Sequence, residues 1–70
     1  MNAAEKLAAE IERVSALREQ YRELDGTPGV NVKPAIFLMT ASLERAKQVA
    51  GTDDAVEYLR AIKDLEGFTG

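Results

Sequence analysis

The 70-residue sequence contains no histidine, cysteine or tryptophan, and its aromatic residues are two tyrosines and two phenylalanines. Without cysteine and histidine there can be no disulfide, no thiolate or imidazole metal site, and no catalytic triad built on either residue. A histidine-based pH switch is excluded as well. We therefore expect no cofactor and no metal ion, and a stability that does not respond to reductants or EDTA.

Long apolar runs are also missing. No stretch approaches the roughly 20 apolar residues of a membrane span, and Glu5, Glu10 and Glu12 interrupt anything like the core of a signal peptide. Hydrophobic residues make up 46% of the chain, which argues against disorder. The sequence thus predicts a single domain over residues 1–70, with a cytoplasmic location and no membrane partner.

Charge is distributed unevenly along the chain. Residues 1–25 sum to about −2, residues 32–50 to about +2 and residues 52–70 to about −3. The middle segment is therefore opposite in sign to both neighbours, which favours a central element flanked by the other two. No basic face of the kind that binds nucleic acid is present, and we expect no nucleic-acid partner.

Apolar residues recur at helical spacing in three segments. This pattern predicts an all-α fold, a small three-helix domain with helices at 2–24, 33–50 and 53–66. Gly26 and Gly51 mark the two breaks. A first helix of this length is overlong for a compact bundle with the other two, and a domain this small is marginally stable alone. Both features favour self-association as a homodimer or a protein partner.

Polar residues predict the helix ends. Asn2 is the expected N-cap of the first helix, and Thr52 or Asp53 that of the third. Gly67 suits a left-handed position after the third helix, and Phe68 could then fold back on the last turn in a Schellman ending.

The large apolar residues of each predicted helix lie on one side. The second helix has an apolar face wide enough to touch two others, so we expect it to form the middle layer. The predicted core consists of Leu7, Ile11, Val14, Leu17, Tyr21, Ile36, Met39, Leu43, Leu59, Ile62 and Leu65.

Two residues do not fit these apolar stripes. Phe37 points to the polar side of the second helix, where either Val30 from the preceding loop covers the ring or the ring meets a second chain beside Leu38 and Val56. Arg18 lies near the middle of the first stripe. It could extend its head group into water, pair with an acid of the third helix, or contact a partner. The candidate partner interface is Phe37, Leu38, Val56 and Arg18.

Catalytic chemistry finds little support. Asp53, Asp54 and Glu57 lie together, but a helix N-terminus attracts acids in any case and a hard cation needs more ligands. The hydroxyl-bearing residues have no base of suitable pKa. We expect a protein that is not an enzyme, and instead a non-catalytic interaction or structural module.

A DNA-binding regulator is the alternative. The second helix, the turn at Gly51 and the third helix could form a helix-turn-helix. The third helix would then contact the DNA bases, yet it has only two basic residues beside the acidic residues Asp53, Asp54, Glu57 and Asp64. Such a surface repels phosphate.

Two segments carry a family resemblance, the middle "NVKPAIFLMTASLERA" and the ending "DAVEYLRAIKDLEGF". They resemble small helical proteins encoded in bacteriophages and prophages of proteobacteria, generally of unknown function. The likeness covers about Leu17 to Phe68. It implies a bacterial cytoplasmic setting and a phage accessory or host-modulating role, and it assigns no functional residues.

Overall fold

The computed structural model describes residues 2–69. They form three α-helices, α1 (Ala3–Leu24), α2 (Lys33–Ala50) and α3 (Ala55–Glu66), with no strand among them. The predicted all-α fold is confirmed. None of these helices is long and apolar enough to cross a membrane.

The start and end of α1 follow from local chemistry, as predicted. The Asn2 side-chain oxygen accepts a hydrogen bond from the backbone N–H of Glu5 at 2.8 Å and caps the helix. After Leu24 the chain turns through Gly26, whose φ of 92° is readily available only to glycine. The predicted bounds of the first helix are therefore right to within one residue.

The bounds of α2 agree with the prediction. The helix is entered from Val32, which supplies no capping side chain, and its first turn contains Pro34 but no acidic residue. The N-terminal N–H groups of α2 are thus left without a side-chain acceptor.

The predicted start of the third helix is two residues too early. Asp54 is the N-cap, in place of Thr52 or Asp53, because its carboxylate accepts from the backbone N–H groups two and three residues further on, at 3.0 and 3.2 Å. Three consecutive polar residues precede the helix, and only the structure shows which one bonds to its free N–H groups.

The predicted left-handed glycine at the end of α3 is also wrong. Gly67 has φ −67°, a conformation open to any residue. The Arg13 guanidinium instead binds the last carbonyls, since Nη2 donates to the Leu65 oxygen at 2.9 Å and Nη1 to the Phe68 oxygen at 2.8 Å. Phe68 is half-buried and packs against the core.

The core is formed by eight buried hydrophobic side chains from all three helices. Of the predicted core residues, Ile11, Tyr21 and Ile36 are only half-buried. The buried residues are Leu7, Val14, Leu17, Met39, Leu43, Ala46, Ile62 and Leu65.

Leu59 was predicted as a core residue and is 60% exposed. At 100° per residue it lies about 60° from Ile62 and about 120° from Leu65 around α3. Ile62 and Leu65 are the buried residues of α3, and Tyr58, which lies between them around the helix, is half-buried. Leu59 is therefore at the edge of the apolar stripe, outside the face of α3 that packs in the core.

Each helix contacts both others, so α2 is one side of a triangle and not the expected middle layer. Since α3 follows α2 through a short turn and Asp64 near its end pairs with Arg45 at 3.1 Å, α3 runs back only along the second half of α2. The first half of α2 and the end of α1 extend beyond it. The protein is accordingly elongated, 44 × 19 × 16 Å.

Candidate functional site

A shallow groove lies at the end of the molecule where α1 passes into α2. It has a volume of about 580 Å³. One wall comes from the last turn of α1, and the other from the first two turns of α2. We call it the hairpin groove; it is lined by Arg22, Asp25, Lys33, Ile36, Phe37 and Thr40.

The Phe37 side chain is 73% exposed. The interpretation in which Val30 covers the ring is therefore wrong. The backbone N–H of Val30 donates to the Thr27 oxygen at 3.0 Å, so the connection closes a turn on itself and does not fold over α2. The ring remains the most exposed large apolar side chain in the described part of the molecule.

Arg18 lies beside the groove and is half-buried. Its Nη1 donates to the Thr40 hydroxyl at 3.3 Å, and that hydroxyl donates to the Ile36 oxygen at 2.8 Å. The proposed ion pair with an acid of α3 is wrong, because the head group faces α2. The prediction that the head group of Arg18 extends into water is right only in part, since its Nε is buried and has no hydrogen-bond partner.

This burial predicts the effect of Arg18→Met. A buried donor without a partner costs about 1–3 kcal/mol, and methionine fills the space of the side chain as far as Nε without the charge. We expect the free energy of unfolding in urea to be unchanged or to rise by about 1 kcal/mol. Arg22→Met, at an exposed position nearby, is the control. A loss above about 1 kcal/mol for Arg18→Met alone would show that the Thr40 contact stabilises the fold.

The four predicted interface residues do not form one patch. Phe37 lines the groove, and Arg18 reaches it through Thr40. Leu38 is exposed about 100° further round α2, on the flank towards α3. Val56 lies on α3, roughly 20 Å away along α2 by the helical rise, where it neighbours the exposed Leu59.

Three charged residues line the groove, and none of them was predicted as a site residue. Arg22 pairs with Glu19 at 2.9 Å, which leaves Asp25 and Lys33. Asp25 is the C-cap of α1 and Lys33 is the first residue of α2. Neither takes part in the ion pairs found within residues 2–69. Each also lies at the helix end whose dipole disfavours its charge. That mismatch was visible in the sequence and is the signal that could have identified them.

A second groove, of about 240 Å³, runs between α2 and α3. Its charges are internally paired, Arg45 with Asp64 and Arg60 with Glu57, both at 3.1 Å. The buried Ser42 hydroxyl accepts from Arg45 at 3.2 Å. The group beside the Ser42 hydroxyl is therefore a cation and not a general base. We interpret this groove as the seam where α2 packs against α3.

The acids near the start of α3 serve the helix. Asp54 is occupied as the N-cap, and Glu57 pairs with Arg60. Over residues 2–69 no three acidic side chains come close enough to hold a metal ion. If α3 contacted DNA, it would present three acidic and two basic side chains, so no observation favours that role.

No protein-family model, curated protein or solved structure matches the chain. Within the described surface, the hairpin groove combines the most exposed aromatic ring with charges that have no partner in the fold.

Proposed function

We propose that the protein is a non-catalytic interaction module that binds a protein surface through the hairpin groove. The observation that carries this proposal is the 73% exposure of Phe37. A ring that is mostly exposed contributes little to the stability of the fold, whereas aromatic side chains at the centre of an interface dominate binding energy. Ile36, which is half-buried, adds a second apolar side chain to the lining of the groove.

The shape of the molecule supports a partner. A compact monomer of 7.6 kDa has about 4,300 Å² of accessible surface, whereas this chain has 4766 Å². Its radius of gyration is 13.0 Å, against about 11 Å for a compact domain of this length. The molecule is elongated, with α1 and α2 extending beyond α3 at the end where the groove lies.

The resemblance of the segment from Leu17 to Phe68 to small phage and prophage proteins supports an accessory role in a bacterial cytoplasm. The partner would then be a phage protein, a host protein or another copy of the chain.

A capture experiment tests the proposal with matched surface variants. Wild type, Phe37→Ser and Leu59→Ser are immobilised and exposed to bacterial lysate containing untagged wild-type chain. Leu59 is the control because it is similarly exposed but lies on α3. We expect the wild type and the control to retain the same partner, and Phe37→Ser to lose about 30-fold in affinity. Equal retention by all three, or none by any, would overturn the proposal.

The alternative function, a helix-turn-helix DNA-binding regulator, can be distinguished from the interaction module by the effect of salt on binding. A DNA-binding protein loses affinity steeply as salt rises, because binding releases counterions. If wild type shifted bacterial DNA in a salt-sensitive manner and Phe37→Ser did so equally, the helix-turn-helix alternative would replace the present proposal.

A further inference from the structure

We propose that the occupant of the hairpin groove is a second copy of the same chain. The two copies would be related by a twofold axis near Phe37, with each Asp25 facing the Lys33 of the other copy. This inference rests on the proposed function and names its partner.

The charges of the groove are self-complementary. Asp25 and Lys33 have opposite signs and line the same groove, yet they form no ion pair with each other or with any other residue of the described segment. A twofold interface places one patch against itself, so it requires a patch that attracts its own copy. The third charge of the groove, Arg22, is already paired with Glu19 in the monomer, so the charges left without a partner offer both signs beside an aromatic centre.

The helix dipoles give the same result. In the monomer Asp25 lies at the negative end of α1 and Lys33 at the positive end of α2, so neither charge is favoured by its own helix. Across the twofold axis each would meet an opposite charge. The first turn of α2, which has no acidic residue, would also receive the carboxylate of the other copy.

Exposed apolar side chains are concentrated at this end. Four of the six exposed large hydrophobic residues belong to the end of α1, the connection or the first turns of α2. A standard interface covers about 800 Å² on each partner, and a second copy seated at the hairpin end would cover several of these side chains at once. The four are Leu24, Val30, Phe37 and Leu38, of which Leu38, about 100° round α2 from Phe37, is the least suited to this interface.

Charge reversal with mixing tests the pairing. We expect wild type to form a concentration-dependent dimer in sedimentation equilibrium. Asp25→Lys and Lys33→Asp should each weaken self-association about tenfold, because each places like charges across the axis. An equimolar mixture of the two variants should restore it to within about threefold of wild type, since both pairs are again opposite. Both changes suit their helix dipoles, so the fold is retained.

The matched variants separate the possible failures. Phe37→Ser should weaken the wild-type dimer about 30-fold and Leu59→Ser should leave it unchanged. A wild type that stays monomeric up to about 1 mM would overturn the second copy as occupant, while the lysate capture would still judge the interaction module. A dimer insensitive to Phe37→Ser would overturn this interface. A dimer sensitive to Phe37→Ser whose mixed charge variants fail to associate would overturn the twofold pairing.

Discussion

Replacing Leu43 with alanine should lower the free energy of unfolding by about 2–5 kcal/mol. The side chain is fully buried and lies in the core cluster to which all three helices contribute. Alanine would remove apolar contacts and leave a cavity where the helices meet, and a small domain has little other core to compensate. Urea unfolding followed by circular dichroism measures the loss.

Leu59→Ala is the matched control, because the substitution is the same and the position also lies within a helix. With 60% of Leu59 exposed, we expect a loss below about 0.5 kcal/mol. Similar losses at both positions would mean that α3 packs with a different face towards the core than the one described.

Arg13→Ala should be the most destabilising change at a partly exposed side chain, by about 2 kcal/mol. The guanidinium donates to the Leu65 and Phe68 oxygens and also pairs with Glu10. Hydrogen bonds from a charged group contribute about 1.5–3 kcal/mol each, but the side chain is 42% exposed, which reduces their sum. The loss should appear in urea unfolding and as faster amide exchange in the last turn of α3.

Arg60→Ala is the control, which tests whether losing an ordinary surface ion pair lowers stability as much as losing Arg13. Arg60 is 74% exposed and pairs within α3 with Glu57, so we expect a change below about 0.5 kcal/mol. Arg13→Lys should recover only part of the stability, because an ammonium cannot span two carbonyls as the planar guanidinium does. Full recovery by lysine would show that charge at the helix end matters and not the fork geometry.

The helices could be predicted from sequence because their signals are local. Helical spacing of apolar residues and the turns at Gly26 and Gly51 mark all three elements. The errors depend on tertiary structure. The start of α3 depends on which of three polar residues caps it, and the exposure of Leu59 depends on how α3 is rotated about its axis when it packs in the core.

The candidate site was predictable only in part. The helical wheel predicted that Phe37 lies off the core face. Whether its ring is exposed depends on the course of the connection between α1 and α2, and Val30 in that connection does not cover the ring. Lys33 lies one helical turn before Phe37 on α2, so its place beside the ring follows from the sequence. Asp25 approaches the ring only when α1 and α2 pair. Val56 was grouped with Phe37 by exposure alone, and the fold separates them.

The most direct test of whether Phe37 serves binding or folding is urea unfolding of wild type and Phe37→Ser at two protein concentrations a hundredfold apart. Phenylalanine and serine have similar helix propensities, so the substitution itself is nearly neutral for α2. At the lower concentration the two proteins should have the same free energy of unfolding, and at the higher one only wild type should gain stability, by mass action. A loss of about 3 kcal/mol or more for Phe37→Ser at the lower concentration would show instead that the ring is buried in the monomer.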